Sequence, residues 1–461
     1  MLPLIREKRT SRRGFLGLGI PGLAAWANAL GASPSGKGRA KSVLVVFCGG
    51  GQSQLEMWDP KPNAPEEIRG AFSSILTRTP GVRFGEHLPM VAAQSHRFSV
   101  LRSVTHDDLD HGSACYLSLT GHFHPRKSSN PPPRPDDPPT LASLYRRIRP
   151  GGPFGFSSTH INGPLFVPDE PGPGQNGGTL GRVFDPLQVD PVNPELSLPA
   201  LTFNQDLPFL RFQSRRQLLH TLDKPRQLWD SRAAVRDFNG QTEQAFELLG
   251  KPGVRDAFDL SKEPVKVRER YGKHRNGQAC LLARRLVERE MPWVTVFWNP
   301  NIRGQDNFPD ETDEYGWDTH NDIFEAMKVH LLPRFDQSFS ALLEDLDERG
   351  LLATTLVLCL GEFGRAPLVA LEPRFKGATP GRKHWAQAYS VVFAGAGVKR
   401  GAVVGATDRR AGSPVEYPVT PPDLAATLFD SLGIAPDAHF YDLLNKPQAL
   451  TTGKVIHGLF S

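Results

Sequence analysis

Five short apolar runs constrain this chain more than any other feature: Val43 to Cys48, Phe98 to Arg102, Trp293 to Trp298, Thr355 to Leu360 and Tyr389 to Ala394. Runs of this length, bounded by glycine and polar residues, suit strands buried on both faces, although periodicity by itself does not separate them from buried helix. Helix-compatible stretches lie between several of them. Read as strands, the runs specify a doubly wound α/β domain with a mostly parallel sheet.

Three polar clusters stand beside these runs. Gly316-Trp317-Asp318-Thr319-His320 follows the Trp293 run through a polar loop, Gly361-Glu362-Phe363-Gly364-Arg365 follows Leu360 directly, and Gly381-Arg382-Lys383-His384-Trp385 precedes Tyr389. Ligands of open α/β sheets gather in the crevice beyond the strand ends, so Asp318, His320, Glu362 and His384 are expected to converge although far apart in sequence. Two carboxylates and two imidazoles make a cage for a divalent metal, with Zn²⁺ or Mn²⁺ better suited than Ca²⁺. Each residue also has a structural use. Asp318 suits the cap of a helix after His320, Glu362 and Arg365 suit an ion pair closing the turn after the strand, and His384 suits packing beside Trp385.

The Val43 run ends in Gly49-Gly50-Gly51, which permits a tight turn or a close backbone approach but lacks the Lys and Ser/Thr of a phosphate-cradling loop. Ser53 just beyond it is either a turn hydroxyl or a nucleophile. After Arg102 comes a ligand-rich loop in which His106, Asp108 and His111 are further metal or acid/base candidates, followed by a helix from about Gly112 to Leu119. The four cysteines are widely spaced in apolar surroundings and form no CxxC pair, which reads as buried free thiols.

Residues 1 to 32 carry +4 of the formal +5 charge, so the remainder is near neutral and offers no footprint for nucleic acid. This segment has a basic start, a weakly apolar stretch from Phe15 to Leu30 and an Ala27-Asn28-Ala29 pattern, and Ser11-Arg12-Arg13-Gly14-Phe15-Leu16 fits the twin-arginine export pattern. The chain is therefore expected to meet the twin-arginine translocase and reach the periplasm or the exterior. No later stretch approaches the roughly 20 apolar residues needed to span a bilayer.

Proline and glycine density around 131–139 and 151–200 predicts irregular structure. The charged segment 205–290 predicts a helical insertion beside the sheet. Ile323, Met327, Leu331, Phe335, Phe339, Leu342 and Leu346 form an apolar stripe at helical spacing that Pro333 should kink or divide, and Gly350 supplies the stop. Pro421-Pro422-Asp423 opens a last helix.

Gly49-Gly50-Gly51-Gln52-Ser53-Gln54, Asp59-Pro60-Lys61-Pro62, the three clusters and Pro418-Val419-Thr420-Pro421-Pro422-Asp423-Leu424 together resemble the bacterial family called domain of unknown function fifteen-oh-one, from about Lys41 to near the carboxyl terminus. That family is placed with the alkaline-phosphatase-like superfamily of phosphatases and sulfatases. The resemblance implies an active site at a helix amino terminus ten residues before the Gly of a Thr-Gly pair. Thr120-Gly121 places His111 there, where relatives carry Ser, Thr or Cys. It also implies that Asp318, His320 and His384 correspond to metal ligands, that Glu362-Phe363 replaces an Asp-His pair, and that Gly49-Gly50-Gly51 replaces an Asp after the first strand.

The resulting expectation is an exported metal-dependent hydrolase of phosphate or sulfate esters, small or polysaccharide. In it His111 or His384 moves the proton and Arg365 grips the anionic group. A cell-envelope binding protein that keeps the fold without turnover is the competing expectation.

Overall fold

The computed structural model describes residues 38–151, 154–190, 256–304 and 315–460. The expected export leader and residues 205–255 of the expected insertion lie outside the described residues.

Eight strands build the central sheet: β1 (Ser42–Phe47), β2 (Phe98–Val104), β3 (Ser158–Ile161), β4 (Leu187–Val189), β5 (Trp293–Phe297), β6 (Thr355–Leu360), β7 (Tyr389–Ala394) and β8 (Ala402–Val404). Their spatial order is β8-β2-β7-β6-β1-β5-β3-β4. All five apolar runs are strands. At the centre, β1 pairs in parallel with both β5 and β6, placing Val45 opposite Thr295 and Leu358. The outer pairs β3–β5, β3–β4 and β2–β8 are also parallel. Within this sheet β7 alone is reversed, running antiparallel to β6 and β2. Its amino end therefore emerges where its neighbours' carboxyl ends emerge.

Among the described residues, five principal helices cover the sheet: α1 (His111–Thr120), α2 (Leu141–Ile148), α3 (Arg275–Glu288), α4 (Leu332–Glu348) and α5 (Pro421–Ser431). Successive side chains of β1 point to opposite faces, as the strand period of two requires. Leu44 and Val46 join the core formed with Leu282 of α3 and Phe335 and Phe339 of α4. Val43, Val45 and Phe47 join Leu119 of α1, Leu144 of α2 and Leu428 of α5. Burying a side chain of this size stabilises the fold by about 1.5–3 kcal/mol, which is why these short runs hold a two-sided sheet.

The stripe after His320 is entirely buried, from Ile323 to Leu346. It is divided as expected: a short helix Ile323–Ala326 and a π turn Met327–Leu331 precede α4, which begins beside Pro333, where a missing N–H leaves no helical bond unmade. Helix α5 starts with a capping box in which Asp423 accepts from the backbone N–H and the hydroxyl of Thr420 at 2.8 and 2.7 Å. The described part of segment 151–200, residues 151 and 154–190, departs from the irregular structure expected of it, because β3 and β4 lie within it. At four and three residues these strands are too short for their pattern to stand out from the surrounding glycines and prolines. Among the described residues no helix is long and apolar enough to cross a membrane.

Candidate metal centre

The three polar clusters meet beyond the end of the sheet. Glu362 stands two residues after β6, Asp318 and His320 lie on the loop beyond β5, and His384 precedes the reversed strand β7. A two-stranded ribbon fastens the second cluster to the third, with His384 opposite Arg365 and Trp385 opposite Gly364. Helix α1 adds His111 as its first residue, and Asp110 caps that end by accepting from the His111 N–H at 2.9 Å. The glycine turn completes the floor. Gly50 has φ of 113°, and a side chain there would meet the backbone nitrogen of Asp318 at 2.2 Å, so only glycine lets the two backbones approach.

One oxygen organises the centre. Asp318 Oδ1 lies 3.1 Å from His111 Nε2, 3.0 Å from His320 Nε2 and 3.3 Å from His384 Nε2. The ligand atoms of His111, Asp318 and His384 all fall within 4.8 Å of one another. Each imidazole is held through its other nitrogen. His111 Nδ1 is 2.5 Å from Glu362 Oε1, His320 Nδ1 is 2.9 Å from Glu372 Oε1, and His384 Nδ1 is 2.8 Å from the Leu109 carbonyl oxygen. A carbonyl only accepts, so His384 carries its proton on Nδ1 and turns the Nε2 lone pair toward Asp318. Glu362 is itself fixed by the Gly50 N–H, at 2.9 and 3.2 Å to its two oxygens. Phe363 packs against His111 and His384 with ring centres 4.8 Å away in each case.

This donor set fits a divalent cation. Three imidazoles oriented through their outer nitrogens by carboxylates or a carbonyl, beside one carboxylate, match the supporting-shell pattern of zinc sites. Calcium, which prefers six or more oxygens, fits poorly. His111 Nε2 is buried and has no hydrogen bond of good geometry among the described residues. Electrostatics agree. Burial pulls the His111 imidazolium down, but Asp318 and Glu362 outweigh it and raise the group to about 9. The surroundings therefore favour positive charge at this point. Burial would raise the Asp318 carboxyl, yet His111 and Arg365 hold it well below the usual range. Burial and the charge on His111 lower His384 to about 4, which keeps its lone pair free.

Four expected residues take other positions. Glu362, expected as a ligand, accepts from the Gly50 N–H and faces His111 Nδ1, so it stands behind that ring and outside the ligand cluster. His106 donates from Nε2 to the Glu362 carbonyl at 2.7 Å and accepts at Nδ1 from the Asp108 N–H at 3.1 Å, so both ring nitrogens are spent on the loop. Asp108 Oδ1 accepts from the Ser113 hydroxyl at 2.7 Å and the Ser128 N–H at 2.8 Å. Both shape the entry to α1 and stand outside the ligand cluster. Arg365, expected to grip substrate, is completely buried. It donates to the carbonyls of Gly50, Gly51 and Trp317 and, at 2.8 Å, to Asp318 Oδ1. It positions the carboxylate. The alternative pairing of Glu362 with Arg365 is replaced by Glu362–His111 and Arg365–Asp318. Asp318 caps no helix, since Asp322 precedes the helix at Ile323. Ser53 is spent on a buried hydrogen bond to Glu56, and the four cysteines are free and buried.

Sequence reasoning missed Glu372, which sits in an irregular loop with no motif around it. The Asn321 side chain grips that loop, accepting from the Glu372 N–H at 2.8 Å and donating to the Glu372 carbonyl at 2.9 Å. It also missed the Glu56–Arg382 pair, fully buried at 2.7 Å, which anchors the strand two residues before His384. The centre opens onto a cleft of about 520 Å³, whose lining includes His111, Asp318, His320 and His384 together with Arg374, Phe375 and Lys383.

Comparison with solved structures finds distant likenesses. The phosphonate monoester hydrolase from Silicibacter pomeroyi is 13% identical, with 91% of this chain and 76% of that one covered and a TM-score of 0.42. A protein in the alkaline phosphatase superfamily from Vibrio parahaemolyticus is 10% identical, covering 88% and 70%, with a TM-score of 0.40. The 2-O GAG sulfatase BT1596 is 13% identical, covering 91% and 74%, with a TM-score of 0.39. No curated protein matches the chain significantly. The family model described as "Protein of unknown function (DUF1501)" matches residues 40–460, which spans the sheet, the helices and every residue of the centre, and the chain belongs to that family.

Proposed function

We propose that this protein is an exported, metal-dependent hydrolase of phosphate or sulfate esters. The observation that carries the reading is the convergence of three imidazole Nε2 atoms on Asp318 Oδ1, each ring held from behind by an acceptor. His111, Asp318, His320 and His384 would hold the cation, with Zn²⁺ or Mn²⁺ favoured by the nitrogen-rich set. A bound divalent cation supplies Lewis acidity toward an ester oxygen and lowers the pKa of water. The chain's own residues do the rest. Glu362 and Glu372 fix the ring orientations, Arg365 keeps Asp318 ionised and aimed, and Phe363 shields the inner side of the cluster.

The same geometry changes the catalytic assignment. His111 and His384 both point their Nε2 atoms into the donor set, so they serve as ligands before they serve as proton carriers. Helix α1 presents its amino-terminal end to the cleft, a position that favours an anion. No hydroxyl or thiol stands at the first residue of α1, and the Ser113 hydroxyl is bound to Asp108. Direct attack of water on the ester is therefore the reaction favoured over a covalent serine or cysteine intermediate.

Export through the twin-arginine translocase to the periplasm or beyond is part of the proposal and rests on Arg12-Arg13 in their matching context. The absence of an orthodox nucleophile favours one alternative, a non-catalytic binding protein of the cell envelope. Metal analysis of protein purified without chelators, followed by a screen of aryl phosphates, phosphodiesters and aryl sulfates, separates the two. Stoichiometric metal with turnover supports the hydrolase; metal without turnover on any ester supports the binding protein; failure to take up Zn²⁺ or Mn²⁺ removes the hydrolase and also favours the binding protein.

A further inference from the structure

The cleft above the metal centre is larger than one tetrahedral anion requires, and its chemistry is divided. At its floor lie the four converging donors. Farther out, two cationic side chains line it, Arg374 on the loop after Glu372 and Lys383 immediately before the short strand that begins at His384. Both are exposed. Among the described residues, neither has an ion pair or a side-chain hydrogen bond. The two arginines buried beneath the cleft are already paired: Arg365 with Asp318, and Arg382 with Glu56. Two carboxylates also line the cleft outside the ligand cluster: Asp110, whose Oδ1 accepts from the His111 N–H, and Glu372, which holds His320. Phe375 adds an aromatic surface, stacked on His320 with centroids 3.6 Å apart and an 8° interplanar angle.

We infer that Arg374 and Lys383 form a second anion subsite, so that the preferred ligand carries one anionic ester group for the floor and a further carboxylate, sulfate or phosphate a few bonds away. This rests on the metal-centre reading given above and adds the ligand's outer charge to it. A ligand with a single anionic group leaves two cations unmatched in the same cleft; a ligand with two satisfies floor and rim together. Complementary charge at such exposed positions contributes modestly, so the pair should favour a ligand with a second anionic group by a factor of about ten.

The test compares two aryl esters of one shape, phenyl phosphate and 4-carboxyphenyl phosphate, by calorimetric titration against the zinc-loaded full chain. The carboxylated ester should bind about tenfold more tightly, and the ratio of the two affinities should fall toward one in Arg374→Gln/Lys383→Gln. Zinc content of that variant should equal the wild type's, which shows that the floor is intact. Equal affinity of the two esters for wild-type protein, with both displaced by inorganic phosphate, would overturn the subsite while leaving the metal centre standing. An undiminished ratio in the double variant would overturn it as well. A chain that takes up no zinc and binds neither ester removes the metal centre and the subsite together.

Discussion

Asp318 accepts a hydrogen bond from Arg365 Nη2 at 2.8 Å, on the same oxygen that faces three imidazoles, and the guanidinium that holds it has no exposure at all. The arginine thus sets the position of the central carboxylate without reaching the cleft. Arg365→Ala should destabilise the protein by about 3–5 kcal/mol, because it removes the buried charge that pairs with Asp318 and leaves the Gly50 and Gly51 carbonyls without their donor. Arg365→Lys should fold better but bind metal less tightly, since an ammonium cannot span those partners. Chemical denaturation and metal titration of both variants check this; a Lys variant with wild-type affinity would contradict a positioning role.

Metal uptake should depend on pH in a defined direction. His111 is raised to about 9, so below that value a proton occupies the group that must bind as a neutral ring. Affinity should rise about tenfold for each pH unit up to about 9 and flatten above it, with about one proton released per ion bound. His384, lowered to about 4, should add no slope in this range. Competition with a chromophoric chelator at several pH values measures the profile, and a flat profile below 9 would count against His111 as a ligand.

Glu372 should matter although it touches no reacting group. Glu372→Ala removes the acceptor that fixes His320, and losses of this kind lower metal affinity about 10- to 100-fold. Glu372→Gln retains an acceptor oxygen and should recover much of that loss. The pair of variants separates orientation of the ring from simple loop damage, which would affect both equally.

A group remote from the centre should govern acid stability. His160 on β3 is completely buried, and burial lowers it to about 3, whereas the unfolded chain keeps an ordinary value near 6.5. The folded-state value is the lower one, so the stabilisation is complete above about pH 6.5 and is lost as pH falls from there toward 3. The slope is at most about 1.4 kcal/mol per pH unit from this one site. Urea unfolding of wild type and His160→Gln near neutrality and near pH 5 should show a shallower acid-side loss in the variant.

Replacement of Arg12 and Arg13 by Lys should leave an uncleaved precursor in the cytoplasm. Fractionation of cells carrying the variant, with and without a working twin-arginine translocase, checks this; export that proceeds unchanged in the paired variant removes the leader assignment.

How much of this was legible beforehand follows from range. The strand Thr355–Leu360, the stripe from Ile323 to Leu346 and the Thr420–Asp423 cap depend on neighbours within a few residues, so apolar spacing and turn chemistry reveal them in a single pass along the chain. The clusters around Asp318, Glu362 and His384 were visible as well, because glycine and polar residues interrupt buried runs there. Their geometry was not. His384 reaches the centre only because β7 is reversed, a property of strand pairing across some thirty residues that its own sequence does not encode. Nor does local sequence separate His111 from His106, five residues away on the same loop: the first begins a helix aimed at Asp318, and the second is turned toward the Glu362 carbonyl. Sequence by itself determined the buried strands, the helix stripes and the polar clusters, since these follow from local burial and hydrogen-bonding rules. The tertiary structure alone decided which polar groups share one oxygen, because a ligand set depends on distances between chain segments that composition and spacing leave free.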